Sequence, residues 1–269
     1  MNWRWNERFP EMGQEPIPVE RVVSDAYFEL ERERIFKRCW LHAGRAESIP
    51  KSGDWFVQEV AAAKASVLVV RGDDGEIRAF HNVCRHRGNR LVPETRGSGS
   101  GKFACRFHGW TYDSEGKLVY ATQEENFYES VCGKLNLAPV SCDVWDGFIF
   151  IHLDPEPEET LLEFLGPVAD HVSGFPFADV TSELRYHTEL ASNWKVVMDS
   201  QAESLHAPFV HKQVWPDLFS SATHPNSNYL DLTFYDRHAI WSLGAGDYKP
   251  KGVEAYALSL GPAPAQAGE

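Results

Sequence analysis

The chain has 269 residues, 39 of them Asp or Glu and 26 Lys or Arg, for a formal net charge of −13. At 43% hydrophobic and 24% charged it has the composition of a globular protein, long enough for one large domain or two modest ones. The acidic balance disfavours nucleic acid and anionic membrane as partners. No apolar run approaches the length of a membrane span, and residues 1–10 lack the apolar core of an export signal. These features set the expectation of a cytoplasmic protein. Its five cysteines (Cys39, Cys84, Cys105, Cys132 and Cys142) are then expected as thiols or metal ligands rather than a disulfide framework.

Ser24 is a candidate N-cap for a helix over Asp25 to Arg38, whose Phe28, Ile35 and Phe36 share one face. The period then changes. Trp55 to Val60, Ser66 to Arg71 and Glu76 to Phe80 read as short strands, separated by the turn residues Gly53-Asp54 and Gly72 to Gly75. Lys102 to Cys105, Trp110 to Tyr112, Lys117 to Tyr120 and Gly147 to Leu153 continue the strand pattern. Residues 40–153 therefore read as an all-β domain, preceded by a helical segment over residues 1–39. The acidic, proline-containing stretch 154–159 marks a linker. Beyond it, over residues 160–269, the pattern predicts a helix around Leu161 to Leu165, a strand near Glu183 to Leu190 and a helix over Trp194 to His206. It further predicts strands at Tyr229 to Tyr235, His238 to Leu243 and Glu254 to Leu260, and a tail of disordered composition from Gly261. The fold class expected is α+β.

Two constellations carry chemistry. Cys84-Arg85-His86 and Cys105-Arg106-Phe107-His108 are separated by 18 residues, and each pairs one thiolate with one imidazole between predicted strands. Two such loops can supply two cysteines to one iron and two histidines to the other, the ligand set of a Rieske 2Fe–2S cluster. Gly88 and Gly109 follow closely and allow tight turns beside a cluster. Unrelated buried cysteines and histidines form one alternative. Structural zinc forms another, but zinc sites usually pair Cys with Cys and His with His.

The second constellation is Glu203, His206 and His211. A helix would bring Glu203 and His206 to one face, and Pro208 interrupts that helix so that His211 can return to the same side. Two histidines with a carboxylate form the facial triad of non-haem Fe(II) oxygenases. The alternative is an amphipathic helix with two incidental histidines.

The segments Asn82-Val83-Cys84-Arg85-His86-Arg87-Gly88 and Cys105-Arg106-Phe107-His108-Gly109-Trp110 resemble the Rieske domain of the large (alpha) subunits of ring-hydroxylating oxygenases. Trp40 to Gly44, Gly53-Asp54-Trp55 and the later Asn193-Trp194-Lys195 and Glu203-x-x-His206-x4-His211 extend the resemblance from about residue 20 to about residue 215. It implies an all-β Rieske domain followed by a helix-grip antiparallel catalytic domain. It also implies that Cys84, His86, Cys105 and His108 hold the 2Fe–2S cluster and that His206 and His211 bind a mononuclear Fe(II). By the resemblance Glu203 is not a ligand but a bridge to the Rieske histidine of a neighbouring subunit, in a homotrimer or an α3β3 assembly. Respiratory Rieske proteins carry a disulfide and a serine donor at positions that here hold Asn89, Phe107 and Trp110. Fewer hydrogen bonds to sulfur are therefore expected, and a reduction potential toward the low end of the Rieske range. The family's third iron ligand lies far beyond its second histidine, so a chain ending at Glu269 is expected to be C-terminally short. Asp217, Asp231, Asp236, Asp247 and Glu254 are the acids available.

The activity implied is that of the oxygenase component of a multicomponent system. A reductase, with or without a ferredoxin, supplies electrons from NAD(P)H, and O2 hydroxylates an aromatic or small organic substrate. Glu at position 203 is common in relatives acting on quaternary amines. The competing reading is a Rieske electron carrier or an oxygenase chain without turnover, and a third is a zinc-stabilised binding module.

Overall fold

The computed structural model describes residues 5–13, 15–179, 187–203, 206–211, 229–243, 252 and 255–256. It contains two compact units. Met1–Ile17, with the helical turn α1 (Trp5–Arg8), group with Leu190–Glu269, while Pro18–Glu189 form the other unit. The division does not fall at the acidic linker: helices on both sides of residues 154–159 belong to the larger unit.

In that larger unit, α2 (Glu20–Val23) leads into α3 (Asp25–Glu31). Ser24 caps α3 as expected, its hydroxyl accepting the Tyr27 N–H at 3.2 Å. The helix does not continue as α to Arg38; it widens into a π-helical turn over Arg32–Phe36. This turn seats the buried Arg32 on the Ala62 carbonyl at 2.6 Å and lays Phe36 against the core.

Ten strands follow. Seven form an antiparallel sheet ordered β1 (Leu41–Arg45), β10 (Phe148–His152), β9 (Pro139–Trp145), β4 (Ile77–His81), β3 (Ala65–Arg71), β2 (Trp55–Val60) and β5 (Arg96–Gly97). A second sheet joins β6 (Phe103–Ala104), β7 (Thr111–Tyr112) and β8 (Leu118–Tyr120). The strands expected at 55–60, 66–71, 76–80 and 147–153 are present within a residue or two, whereas β6 and β7 are shorter than the patterns suggested. Neither β1 nor β9 was legible: β1 contains Gly44 and bulges between His42 and Gly44, and β9 opens on Pro139 and shows no clean alternation of burial.

Strand β3 supports the whole unit. Val67, Leu68, Val69 and Val70 are wholly inaccessible, because successive side chains feed two different cores. Leu68 and Val70 join Phe80, Leu91, Phe103, Trp110, Tyr112 and Leu118 under the two cysteine loops. Val67 and Val69 join Ile49, Phe56, Ile149 and Ile151 on the opposite face. After the linker, α4 (Leu161–Leu165) starts with a capping box between Thr160 and Glu163 and buries Leu161 and Leu165 against Trp40. Helix α5 (Pro167–His171) follows.

In the smaller unit, α6 (Trp194–Gln201) is capped by Asn193, whose side chain accepts the Lys195 N–H at 3.0 Å. A short α7 (Ala207–Val210) and an antiparallel hairpin of β11 (Tyr229–Tyr235) and β12 (His238–Leu243) complete the described elements, and Phe9 meets Phe234 edge-on at 4.9 Å. Helix α6 ends at Gln201, five residues before the predicted limit at His206. Of the strand expected over Glu183 to Leu190, residues 187–190 are not in a strand and 183–186 lie outside the described residues. Ala255 and Tyr256 are helical where a strand was expected over Glu254 to Leu260. Among the described residues no helix is long and apolar enough to cross a membrane.

Gly53 fixes how the loop ahead of β6 approaches the main sheet. It adopts φ +77°, and a Cβ there would lie 2.0 Å from the Gly99 carbonyl oxygen, a backbone atom that cannot swing aside. Gly75 has a similar φ of +85° but open space around it. Gly53→Ala is therefore expected to destabilise the protein by about 3 kcal/mol and Gly75→Ala by about 1 kcal/mol, measured by denaturant unfolding.

Candidate functional site

The two Cys/His segments are hairpin loops of one design. The first is flanked by the Val83–Arg90 bridge and the second by the Ala104–Thr111 pair of β6 and β7. In the first, the Cys84 N–H donates to the Asn89 carbonyl at 2.8 Å and the Gly88 N–H to the Cys84 carbonyl at 3.0 Å. In the second, the Cys105 N–H donates to the Trp110 carbonyl at 2.8 Å and the Gly109 N–H to the Cys105 carbonyl at 2.8 Å. The residue four after each cysteine sits at positive φ, +75° for Gly88 and +71° for Gly109, which explains the glycines. Asn82 anchors the base of the first loop, its buried amide exchanging hydrogen bonds with the Val92 N–H and carbonyl at 2.8 and 2.7 Å.

This construction buries both cysteines and leaves the histidines nearer the surface. The His86 and His108 rings lie 4.6 Å apart. Trp110 stacks on His86 at 4.7 Å with the planes within 13°, and the exposed Phe107 covers His108 at 4.2 Å. Tyr112, fully buried, accepts the Arg85 N–H at 3.0 Å and places its hydroxyl 3.5 Å from the Cys84 sulfur. Burial pushes the Tyr112 hydroxyl far above its ordinary pKa, so its proton stays available to the sulfur. Burial also pushes the Cys84 thiol up. At Cys105 burial acts in the same direction, but the Phe107 N–H, Cys84, the His108 N–H and the Asn89 amide together outweigh it and hold that thiol below its ordinary range. Burial, with the charge of His108, pushes His86 down, toward a neutral ring.

The donor set fits a metal–sulfur group. His86 Nδ1 is the only buried side-chain nitrogen or oxygen without a hydrogen-bond partner among the described residues, and a neutral ring that presents this nitrogen as an acceptor would suit a metal there. A single zinc would draw all four side chains to one point, whereas a two-iron cluster takes two per iron. Among the described residues no three His, Cys, Asp or Glu side chains converge as a group for one ion.

In the second constellation, Glu203 lies past the end of α6 rather than on its face. Its carboxylate hydrogen-bonds the His206 ring at Nδ1 and accepts the His206 backbone N–H at 3.2 Å. The His206 carbonyl accepts the N–H groups of Phe209 and Val210 at 3.0 and 2.8 Å, so His206 opens α7 with Pro208 inside its first turn. Pro208 thus starts a new helix, and this brings the His206 and His211 rings to 5.3 Å. Asp236 lies in the exposed β11–β12 turn; Asp217, Asp247 and Glu254 lie outside the described residues, as does the Asp231 side chain.

Residues 39–138 match the Rieske [2Fe-2S] domain, and residues 177–260 match the catalytic domain of the ring-hydroxylating alpha subunit. The chain therefore carries a Rieske [2Fe-2S] domain and a ring-hydroxylating alpha-subunit catalytic segment, and its relatives are Rieske oxygenase subunits. It is 32% identical over 211 residues to the glycine betaine monooxygenase oxygenase subunit of Chromohalobacter salexigens, covering 78% of this chain and 45% of that one. It is 31% identical over 254 residues to the chloroplastic choline monooxygenase of Spinacia oleracea, covering 91% and 54%. The apo crystal structure of a quaternary ammonium Rieske monooxygenase superposes with a TM-score of 0.66 at 27% identity, covering 72% of this chain and 56% of that one. The chain thus spans about half the length of the relatives it matches.

Three features of the Rieske domain escaped the sequence reading: the Tyr112 hydroxyl, the Trp110 stack and the role of Glu124. Glu124 accepts from the Ser130 hydroxyl at 2.5 Å and from the Val131 and Cys132 N–H groups at 3.1 and 3.0 Å, binding the segment that carries Phe127 onto Trp110. The Ser130 bond first, then those from Cys132, hold its carboxyl down to about 2. A carboxyl lowered on folding stabilises the fold above its unfolded pKa, and that contribution fades as pH falls toward the folded value. Glu124→Gln is accordingly expected to lower the unfolding midpoint at neutral pH, with the gap to the unmodified protein narrowing steadily below about pH 4.5. A gap independent of pH in thermal unfolding would contradict this role.

Proposed function

We propose that this chain is the oxygenase component of a Rieske system acting on a small quaternary ammonium compound. One observation carries the reading: two cysteine loops of the same construction bury their sulfurs beside a histidine pair that includes the orphaned Nδ1 of His86. In this reading Cys84 and Cys105 hold one iron of the cluster, and His86 and His108 hold the other. His206 and His211 are the histidine ligands of a mononuclear iron. The two metal groups supply electron storage and O2 activation when bound.

The chain's own groups prepare those sites. Trp110 fixes the plane of the His86 ring, and the Tyr112 hydroxyl donates to the Cys84 thiolate. Glu203 accepts a hydrogen bond from His206 Nδ1–H, which selects one tautomer and leaves Nε2 as the ligating nitrogen. Glu203 is also the proposed electron bridge to the Rieske histidine of a neighbouring chain in a trimer.

Net monooxygenation consumes one O2, two electrons and two protons, placing one oxygen atom on the substrate and releasing the other as water. A reductase, alone or through a ferredoxin, delivers the electrons from NAD(P)H. The substrate class is supported by the names of the relatives, which act on glycine betaine and choline. A cytoplasmic location is supported by cysteines that form thiols, at Cys39, Cys132 and Cys142, or serve as the proposed cluster ligands, at Cys84 and Cys105.

The test is iron and sulfide analysis of anaerobically purified protein, with EPR after dithionite reduction. About three irons and two sulfides per chain and a Rieske signal are expected. Zinc with no EPR signal overturns the reading, and about two irons overturns its mononuclear half.

Variants separate the two centres. Cys84→Ala is expected to lose the visible spectrum. His211→Ala should keep it yet yield no product in a single turnover of reduced protein with O2 and glycine betaine or choline. Loss of the spectrum in both variants contradicts two independent centres.

A further inference from the structure

The two cysteine loops share one backbone construction at their first, fifth and sixth positions: Cys84, Gly88 and Asn89 in one, Cys105, Gly109 and Trp110 in the other. In each loop the sixth residue's carbonyl receives the cysteine N–H, and its side chain crosses to the opposite loop. Trp110 crosses from the second loop to stack on His86 of the first. Asn89 crosses the other way, its amide nitrogen 3.7 Å from the Cys105 sulfur. The same nitrogen donates to the Arg90 carbonyl at 2.8 Å. That second acceptor settles the amide's orientation: an oxygen there would face another oxygen, so the NH2 group must point this way, with its remaining hydrogen toward the sulfur. Asn89 is an exposed residue and has no need of a buried partner, yet its amide turns inward.

We propose that Asn89 is a positioning residue for the cluster: its side-chain amide donates to the Cys105 thiolate and raises the reduction potential. The proposal rests on the cluster ligation proposed above. Adding an electron increases the negative charge on the sulfurs, so a donor aimed at one of them stabilises the reduced form more than the oxidised form. With the Tyr112 hydroxyl near Cys84, each cysteine then receives one side-chain donor, Cys84 from the strand that follows the second loop and Cys105 from the first loop. The expectation of a cluster poor in hydrogen bonds to sulfur, drawn from the side chains at 89, 107 and 110, is thereby amended at position 89.

The experiment replaces Asn89 with Leu, similar in size and without a donor, and with Gln, which restores the amide. The readouts are the visible spectrum, the EPR g-values and the midpoint potential of the cluster. Asn89→Leu is expected to retain the cluster while its equilibrium constant for reduction falls about tenfold, a downward shift of about 59 mV for one electron. Asn89→Gln should recover most of the shift. An unchanged potential in the Leu variant overturns the proposal, as does a Gln variant that falls as far as Leu, since the effect is then steric. Should the Leu variant lose its cluster, the unmodified protein labelled with 15N in its asparagine side chains decides. Pulsed EPR of the reduced cluster is expected to show a coupled side-chain nitrogen, and its absence overturns the proposal. An unmodified protein with no 2Fe–2S signal at all instead overturns the ligation beneath it.

Discussion

A cysteine held out of water still carries a backbone N–H and carbonyl that must be satisfied, and at this site the demand arises twice within a few ångströms. Each loop meets it by closing on itself, the cysteine N–H and carbonyl both finding partners four or five residues later. The closure forces a left-handed residue at the same place in each loop, hence Gly88 and Gly109. It also points the last side chain of each loop at the other loop. The rest of the unit follows from supporting this pair: β3 hidden on both faces, Asn82 at the base of one loop, and Glu124 holding the segment that reaches Trp110. An electron-transfer centre profits from such rigidity, because geometry that is fixed before reduction need not reorganise during it.

The second constellation is organised by one carboxylate. Glu203 binds both the ring and the backbone N–H of His206, so the side chain that orients the imidazole also positions the start of α7. His211 stands just past that short helix and reaches His206 because the chain turns at Pro208. The substrate class proposed for this arrangement rests on the quaternary ammonium relatives.

Much of this was readable before any coordinates. Residue identity at a fixed spacing singles out Cys84, His86, Cys105 and His108, which two loops of the same construction bring together. Alternation revealed β2, β3 and β4, where Val and Leu dominate. What was not readable depends on contacts between distant residues. Tyr112 looks like any core tyrosine until the fold places Cys84 beside it. Asn89 looks like a turn residue until the second loop arrives. The helical composition of Ala202 to His206 extends past the actual end of α6 at Gln201, and the Glu203–His206 contact accompanies the chain's departure from the helix there. Ala255 and Tyr256 are helical within a stretch whose alternation suggests a strand, because apolar alternation alone does not decide between strand and helix over so few residues.

The main sheet ends on β5, two residues long, and on β1, whose bulge falls between His42 and Gly44. Every open sheet edge offers unpaired N–H and carbonyl groups to any extended chain it meets. One edge here is too short to template a new strand, and the other breaks its own register midway. This acidic chain can therefore present the side chains of its two cysteine loops to other molecules with little risk that these sheet edges recruit a second sheet and carry the protein into aggregates.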